Sequence, residues 1–403
     1  MTGPARGAFS YPNYRRYWIS TVAMVFAMQF RFIGAAWLVH ELTDSPFWLG
    51  VPGIISAAVS LLLMLPAGTI ADRVDTQRLL ALGRALAGVA HLALAILTVT
   101  GVVRVWMVLV WAAVTAAFGA LTGPSANALL PRLIDRSAMA SAVALNGAVW
   151  SGMRIIGPAA AGLVIATVGI GPAFFVTAAG FALATFLIAT LELAPLRREA
   201  GAQDSGMLGG VRYVLRNRIF LATIGLSFFT SMFGSSYVVL LPIFADDVLH
   251  AGVQGFGYLE AAAGSGALLG TLSIMRIRTG RYTGAVMVGA AVMFGLWIAG
   301  FSASRSLSLS MALLFAGGFS SAVYLNVGMT TLQLLVPEEL RGRVMAIWGL
   351  TWLLSSAGGF VAASIASFLG APFAIALGAL AVSGFAVFVY VIFEEVRGIP
   401  TPA

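Results

Sequence analysis

Residues 47–100 read FWLGVPGIISAAVSLLLMLPAGTIADRVDTQRLLALGRALAGVAHLALAILTVT, which is two long apolar stretches joined by a short polar turn. The stretches 47–70 and 79–100 each have the length of a helix that crosses a bilayer, which takes about 20 apolar residues. The turn between them contains several charges, among them Asp72 and Arg73. This pattern predicts two successive transmembrane helices.

The composition of the whole chain agrees with a membrane protein. Of its 403 residues, 60% are hydrophobic and 9% are charged. Globular proteins carry about 45–50% apolar and about 25% charged residues, so this chain departs in the direction of a membrane protein. The pattern predicts an all-α fold with twelve transmembrane helices. The predicted spans are 17–39, 47–70, 79–100, 105–126, 141–166, 171–191, 219–243, 256–275, 283–301, 307–329, 344–369 and 372–393.

The spans fall into two sets of six, separated by the polar stretch 192–218. We therefore predict an N-terminal six-helix bundle at 1–191, a cytoplasmic linker with a short interfacial helix at 192–218, and a C-terminal six-helix bundle at 219–403. All 23 basic residues are arginines, and most fall at the N-terminus or in the alternate loops that share its side. Because basic residues collect in cytoplasmic loops, both termini are predicted to be cytoplasmic.

A charged pattern before the fifth span recurs before the eleventh. The matching residues are Pro131, Asp135 and Arg136 in the first half and Pro337, Glu339, Arg341 and Arg343 in the second. The halves therefore have the character of two parallel repeats. Repeats of equal topology in a bilayer are typical of a transporter with a central pathway.

Several classes of function are excluded by residue types that the chain lacks. It has no lysine, so it cannot hold the lysine of a phosphate-binding loop. It has no cysteine, and its three histidines are scattered, so we expect neither a metal site nor a cofactor. The net charge of +8 lies in short loops rather than in one patch, which argues against a nucleic-acid partner. With no set of nucleophile, base and metal ligands in view, an enzyme is not predicted.

Six pieces of sequence, in order along the whole chain, resemble the major facilitator superfamily, and within it the drug and siderophore exporters of the enterobactin-exporter and macrolide-efflux type. The pieces are Asn13–Trp18, Trp37–Thr43, Gly68–Arg73, Ala144–Pro158, Leu241–Asp247 and Val336–Arg343. The resemblance implies a twelve-helix, pseudo-symmetric transporter that works as a monomer in the bacterial inner membrane.

The resemblance also implies gating residues at the loop after the second span. The superfamily signature there reads G-x-L-A-D-R-x-G-R-[KR], and this chain keeps Gly68, Asp72 and Arg73 but replaces the later glycine with Asp75. An ordinary charged loop under the positive-inside rule is the alternative. Further gating residues are expected in the fifth span and in the counterpart loop of the second half. They are Gly157, Pro158, Glu339, Arg341 and Arg343.

Three charged side chains fall well inside predicted spans: Arg31, Arg154 and Glu260. At about 1.5 Å of rise per residue, each lies roughly 20 Å from the cytoplasmic surface. An unpaired charge at that depth is costly, and in the superfamily the fifth and eighth helices meet between the halves. We therefore expect Glu260 to pair with Arg154 or Arg31 and to couple transport to protons. A static packing pair, or a glutamate that reaches the outer water, is the alternative.

In the superfamily, spans one, four, seven and ten line the cavity, so the resemblance implies that aromatic and polar residues there contact the substrate. The predicted cavity residues, two of them on the fifth span, are Gln29, Arg31, Trp111, Trp150, Arg154, Phe228, Tyr237 and Asn326. Aromatic walls suit a bulky, partly apolar ligand, although packing or lipid contact is the alternative for each residue. His91 lies on the third span, which is peripheral in the superfamily, and we expect it to pack against a backbone carbonyl.

These observations together predict a secondary active exporter that exchanges protons for a drug-like or siderophore-like small molecule. Its expected partners are that substrate, protons and membrane lipid. An uptake symporter, a lipid-handling carrier and a membrane sensor that transports nothing are the alternatives.

Overall fold

The computed structural model describes residues 7–193, 207–274 and 282–397, and within these ranges the regular secondary structure is helical. The chain divides into two compact units. The first unit comprises Met1–Asp44 and Val51–Arg198, and the second comprises Ser45–Gly50 and Glu199–Ala403. The division falls inside the predicted linker, of which residues 194–206 lie outside the described part of the chain.

The first unit is built from six long helices, with α2 belonging to it from Val51 onward. They are α1 (Pro12–Thr43), α2 (Pro46–Arg73), α3 (Thr76–Val99), α4 (Val105–Leu129), α5 (Met139–Val168) and α6 (Ile170–Ala189). Their sequences are apolar nearly all round, as expected of helices that contact both a protein core and lipid.

The second unit contains ten described helices, because several of its long segments are interrupted. They are α7 (Met207–Arg216), α8 (Arg218–Phe229), α9 (Tyr237–Ile243), α10 (Gly252–Ile274), α11 (Thr283–Ala303), α12 (Leu307–Leu335), α13 (Glu338–Leu350), α14 (Leu354–Leu369), α15 (Ala371–Ile392) and α16 (Glu394–Arg397). A π-helical turn, Thr230–Gly234, follows α8, and a second, Phe244–Val248, follows α9. The helix α7 lies where the sequence predicts a short interfacial helix.

Eleven helical segments in the described residues are long and apolar enough to cross a membrane. They coincide with eleven of the twelve predicted spans. The remaining prediction, 256–275, falls on α10, which is 23 residues long but is rich in glycine and contains Glu260. The glycines that lower its hydropathy also allow close packing, because several of them contact α12 directly. The all-helical membrane class is confirmed, and the twelfth span stays a prediction.

The two units share one detail of chain geometry, the glycine that joins the last two long helices of each. Gly169 ends α5 with φ 93°, and Gly370 ends α14 with φ 84°. Each glycine donates its N–H to a carbonyl one turn back, Ile165 and Ala366 respectively, both at 2.9 Å. Residues with a side chain are strained at such φ values, so both positions favour glycine. The matching corners support the predicted internal repeat.

Asp75, which stands where the superfamily signature has a glycine, caps a helix. It precedes α3, and its side-chain oxygen accepts a hydrogen bond of 2.9 Å from the backbone N–H of Arg78. The free N–H groups of a first helical turn are stabilised by such an acceptor. The departure from the signature therefore has a local structural reason.

We expect Asp75→Ala to lower the free energy of unfolding by about 1 kcal/mol, because the N–H of Arg78 loses its acceptor. Asp75→Ser keeps an acceptor at the same place and should retain most of the stability. Unfolding of the purified protein in mixed micelles measures both. Equal stabilities for the alanine and serine variants would show that the cap contributes nothing.

Candidate functional site

A cavity of about 240 Å³ lies among the helices of the first unit. Five helices, α1, α3, α4, α5 and α6, contribute to its wall. Most of the lining side chains are apolar or aromatic, and a few are ionisable. Its described lining residues include Arg31, Arg84, His91, Phe118, Trp150 and Phe181. The cavity therefore combines an apolar wall with a small number of charged groups, as ligand sites do.

Arg31 brings a positive charge into this cavity from α1. Its guanidinium carbon lies 5.9 Å from the centre of the Trp111 ring, within the range of a cation–π interaction. Its Nε atom is buried and has no hydrogen-bond partner among the described residues. A buried N–H donor without an acceptor is costly, so this group is suited to an acceptor that arrives with a ligand.

His91 lines the cavity from α3 and is 1% exposed. Its ring stacks on Phe181, with centroids 4.7 Å apart, and meets the Trp111 ring edge-on at 5.5 Å. The Nδ1 atom hydrogen-bonds to the carbonyl oxygen of Ala87. Because a carbonyl only accepts, Nδ1 carries the proton, and the Nε2 of a neutral ring is an acceptor. Nε2 has no partner among the described residues.

Arg84 is the second arginine of the cavity and is buried at 5% exposed, whereas Arg31 is half-buried. One of its terminal N–H groups donates to Oγ of Ser20 at 2.8 Å, and that hydroxyl donates to the carbonyl oxygen of Ala184 at 3.1 Å. The chain of hydrogen bonds connects α3, α1 and α6. It holds the guanidinium in place while a further side of Arg84 lines the cavity.

The cavity brings together some of the predicted residues of the first unit. Arg31 and Trp150 line it, and Trp111 is buried against Arg31 and His91. Arg154 is exposed and is not among the described lining residues. Gln29 donates to the carbonyl oxygen of Met153 on α5 at 3.2 Å.

The predicted gating residues of the first unit are only partly described. Gly157 and Pro158 are buried in α5, and a side chain at Gly157 would meet Gln29. Gly68, Asp72 and Arg73 lie in α2. The surroundings of Gly68 and the side chains of Asp72 and Arg73 are outside what the structure describes.

In the second unit the predicted residues are dispersed over several helices. Asn326 donates to the carbonyl oxygen of Ala322 at 2.8 Å and to Oγ1 of Thr271 at 3.3 Å, which connects α12 to α10. Phe228 is 40% exposed, and Tyr237 is buried edge-on against Phe301. Asn326 and Tyr237 therefore contribute to helix packing, and their contact with substrate stays a prediction.

The ionisable predicted residues of the second unit lie on two helices. Glu260 is half-buried in α10. Arg341 forms an ion pair of 3.8 Å with Glu338 at the start of α13, where Arg343 is half-buried. The side chain of Glu339 is outside the described residues. The predicted pairing of Glu260 with Arg31 or Arg154 would join the two units and stays a prediction.

Two functional candidates were missed from the sequence. Arg84 lies near the cytoplasmic end of the predicted span 79–100, where the positive-inside rule alone accounts for an arginine, but the structure buries it in α3. His91 packs against a carbonyl, as expected, but it also lines the cavity. The missed signal is helical spacing, because Arg84, Ala87 and His91 recur at the three- to four-residue interval of one helix face.

Comparison with known proteins gives one family. The sequence profile of the transmembrane secretion effectors matches residues 5–398. The enterobactin exporter EntS of Shigella flexneri is 22% identical over 343 residues, which are 84% of this chain and 81% of that protein. EntS of Escherichia coli O9:H4 (strain HS) is 23% identical with the same coverage.

Solved transporter structures share the fold. The nucleoside transporter NupG is similar with a TM-score of 0.71 and 14% identity, over 94% of this chain and 98% of that one. A bacterial homologue of the human lysosomal transporter Spinster, inward-facing and occupied, has a TM-score of 0.71 and 14% identity over 100% of both chains. With a profile that spans nearly the whole sequence and a helical membrane fold that matches known transporters, the chain belongs to the transmembrane secretion effector family of the major facilitator superfamily.

Proposed function

We propose that this protein is a secondary active exporter of the bacterial inner membrane, with both termini in the cytoplasm. It moves a drug-like or siderophore-like small molecule outward by alternating access, in exchange for protons. The family membership and the exporter relatives support the direction of transport. The fold supports the carrier mechanism, because two repeats in a bilayer allow one site to open to either side.

The observation that carries the proposal is a pair of buried polar atoms in the wall of the first-unit cavity. Arg31 and His91 each bury a nitrogen without a hydrogen-bond partner among the described residues, and both line the same space. Each such group costs about 1–3 kcal/mol when left unsatisfied. A protein that only scaffolds a membrane has no reason to keep that cost, whereas a carrier recovers it when substrate binds.

Proton coupling is assigned in this proposal to Glu260. It is the sole acidic residue within the twelve predicted spans, and it lies half-buried in α10. An ionisable group inside a membrane span marks a proton or ion pathway by default. A carboxyl group there changes charge when it takes up a proton, and this change is what a proton-driven carrier needs.

We expect purified protein in proteoliposomes to dissipate an imposed pH gradient when a transported member of a panel of siderophores and lipophilic drugs is added. Glu260→Gln keeps the size of the side chain but cannot ionise, so it should abolish substrate-dependent proton movement. Fluorescence of a pH-sensitive dye reports the proton flux. Glu192→Gln, which removes an exposed carboxylate near Arg16, is the matched control and should behave as the unmodified protein.

The same assay separates the alternatives. Substrate movement without protons in both the unmodified protein and Glu260→Gln would contradict proton coupling. Uptake driven in the same direction as the proton gradient would indicate a symporter. Absence of flux for every compound, from protein that remains folded, would favour a sensor.

A further inference from the structure

The charged groups that the structure describes in the wall of the first-unit cavity are positive. The ionisable side chains among its described lining residues are Arg31, Arg84 and His91, and none of the described lining residues is acidic. The sequence of the first unit offers no carboxylate in the middle of a helix. Its acidic residues are Glu41, Asp44, Asp72, Asp75, Asp135 and Glu192, with Glu41 and Asp72 within three residues of a helix C-terminus and the others outside the helices.

Two arginines that line the cavity with no carboxylate among its described lining residues favour an anion supplied by a ligand. Removing a guanidinium from water costs several kcal/mol unless a counter-charge replaces the water. Arg84 has the hydroxyl of Ser20 as a neutral partner. Arg31 has the face of the Trp111 ring, and its Nε has no acceptor among the described residues. A carboxylate would supply both the charge and the acceptor that Arg31 lacks.

The aromatic side chains in the rest of the cavity wall favour an anion whose remaining part is also aromatic. Phe118, Phe181 and Trp150 line it together with the His91 ring. Arg84 and His91 are seven residues apart on α3, so about 10 Å of largely apolar wall separates them. The volume of about 240 Å³ is below the 300–1,000 Å³ or so of a drug-sized pocket. It therefore suits a compact aromatic anion or the aromatic end of a larger one.

We propose that the first-unit cavity selects organic anions with an aromatic body, and that the Arg31 guanidinium binds their carboxylate. This assignment rests on the proposed function in one respect, that the cavity is where substrate is held during transport. It narrows the substrate class from drug-like molecules in general to aromatic carboxylates, and it places cations outside that class.

Three probes of the same aromatic body and different charge test the assignment. They are 2-naphthoate, 2-naphthylmethanol and 2-naphthylmethylammonium, measured by equilibrium dialysis against the full chain in lipid nanodiscs, with empty nanodiscs subtracted. We expect 2-naphthoate to bind about ten-fold or more tightly than either other probe, as one charge-assisted interaction implies.

Arg31 variants then locate the site. Arg31→Gln is expected to weaken 2-naphthoate binding by about ten-fold or more and to leave the alcohol unaffected. Arg31→Lys keeps the charge but loses the planar fork, so it should retain part of the preference for the anion. Arg104→Gln removes an exposed arginine at the start of α4 and should bind all three probes as the unmodified protein does.

The outcomes separate this inference from the proposed function. Equal binding of the three probes, a preference for the ammonium probe, or anion binding unchanged in folded Arg31→Gln would overturn the inference. Proteoliposome flux of the three probes tests transport independently. Selective 2-naphthoate binding without flux of any compound would uphold the inference and overturn the exporter function. Flux of the ammonium probe without any preference for the anion would uphold the exporter function and overturn the inference.

Discussion

Gly266→Val is expected to reduce the yield of folded protein strongly. A Cβ atom built on Gly266 of α10 would overlap the backbone carbonyl oxygen of Phe315 on α12. The contact is reciprocal, because a Cβ on Gly318 of α12 would overlap the carbonyl oxygen of Ala263 on α10. The two helices therefore approach each other backbone to backbone.

The size of the effect follows from what would have to move. A side chain can change rotamer to make room, whereas a helical carbonyl is fixed by its own backbone. The helices would have to separate, and all the van der Waals contacts along their interface would weaken together. Association of helices in a membrane depends on this close packing rather than on a hydrophobic driving force. Overpacking costs about 1–3 kcal/mol in ordinary cores and more where the backbone is involved.

The yield of monodisperse protein and its thermal unfolding in detergent check this prediction. Gly289→Val is the matched control. It lies on α11 of the same unit and is exposed, and a Cβ built there would meet no described atom within 4 Å beyond its own stretch of helix. Wild-type yield and unfolding temperature for Gly266→Val would mean that α10 and α12 are not held at this distance.

The sequence predicts the positions of most helices, because a long apolar stretch marks a segment that can cross a membrane. It was less informative about where helices end. The first span was predicted as 17–39, but α1 runs Pro12–Thr43, since polar and aromatic residues at a membrane interface continue a helix without adding hydropathy. The glycines of α10 lowered its hydropathy for a reason that becomes visible only when α12 is packed against it.

For the candidate site as well, some residues can be predicted from the sequence and others cannot. Arg31 was found because a charge within an apolar run is conspicuous whatever the fold. Arg84 lies near the end of its span, where the positive-inside rule accounts for an arginine. The sequence therefore gives no sign that its side chain is buried. The participation of His91 depends on α3 packing beside α4 and α6, where Trp111 and Phe181 meet its ring. A one-dimensional charge inventory cannot reveal which helix face another helix covers.

Trp111→Leu is the second substitution for which we expect a large effect, because one ring contacts both the Arg31 guanidinium and the His91 ring at this end of the cavity. Trp111 lies under the Arg31 guanidinium and in a T-shaped contact with the His91 ring, and it also contacts the Phe174 ring of α6, with centroids 6.0 Å apart. It is buried but is not among the described lining residues. We therefore treat it as a positioning residue that acts through Arg31.

Loss of the ring should have two separate consequences. Truncating a buried tryptophan to alanine costs about 3–5 kcal/mol of stability, and leucine refills part of that space, so we expect a loss of up to about 3 kcal/mol. Loss of the cation–π contact, about 0.5–2 kcal/mol, should weaken 2-naphthoate binding by about 2- to 30-fold as Arg31 loses its fixed position. Binding of 2-naphthylmethanol should change less, because it does not depend on that charge.

Rescue by a conservative substitution separates positioning from general damage. Trp111→Phe keeps an aromatic face under Arg31, so it should restore most of the preference for the anion even though it does not refill the whole indole volume. Trp106→Leu, at an exposed tryptophan of the same helix, controls for the loss of an indole. If Trp111→Phe and Trp111→Leu lose anion preference equally, or if neither loses it, the ring does not position Arg31. A graded loss of anion binding that follows aromatic character, with a smaller change in alcohol binding, is the outcome that the geometry of α1, α3 and α4 requires.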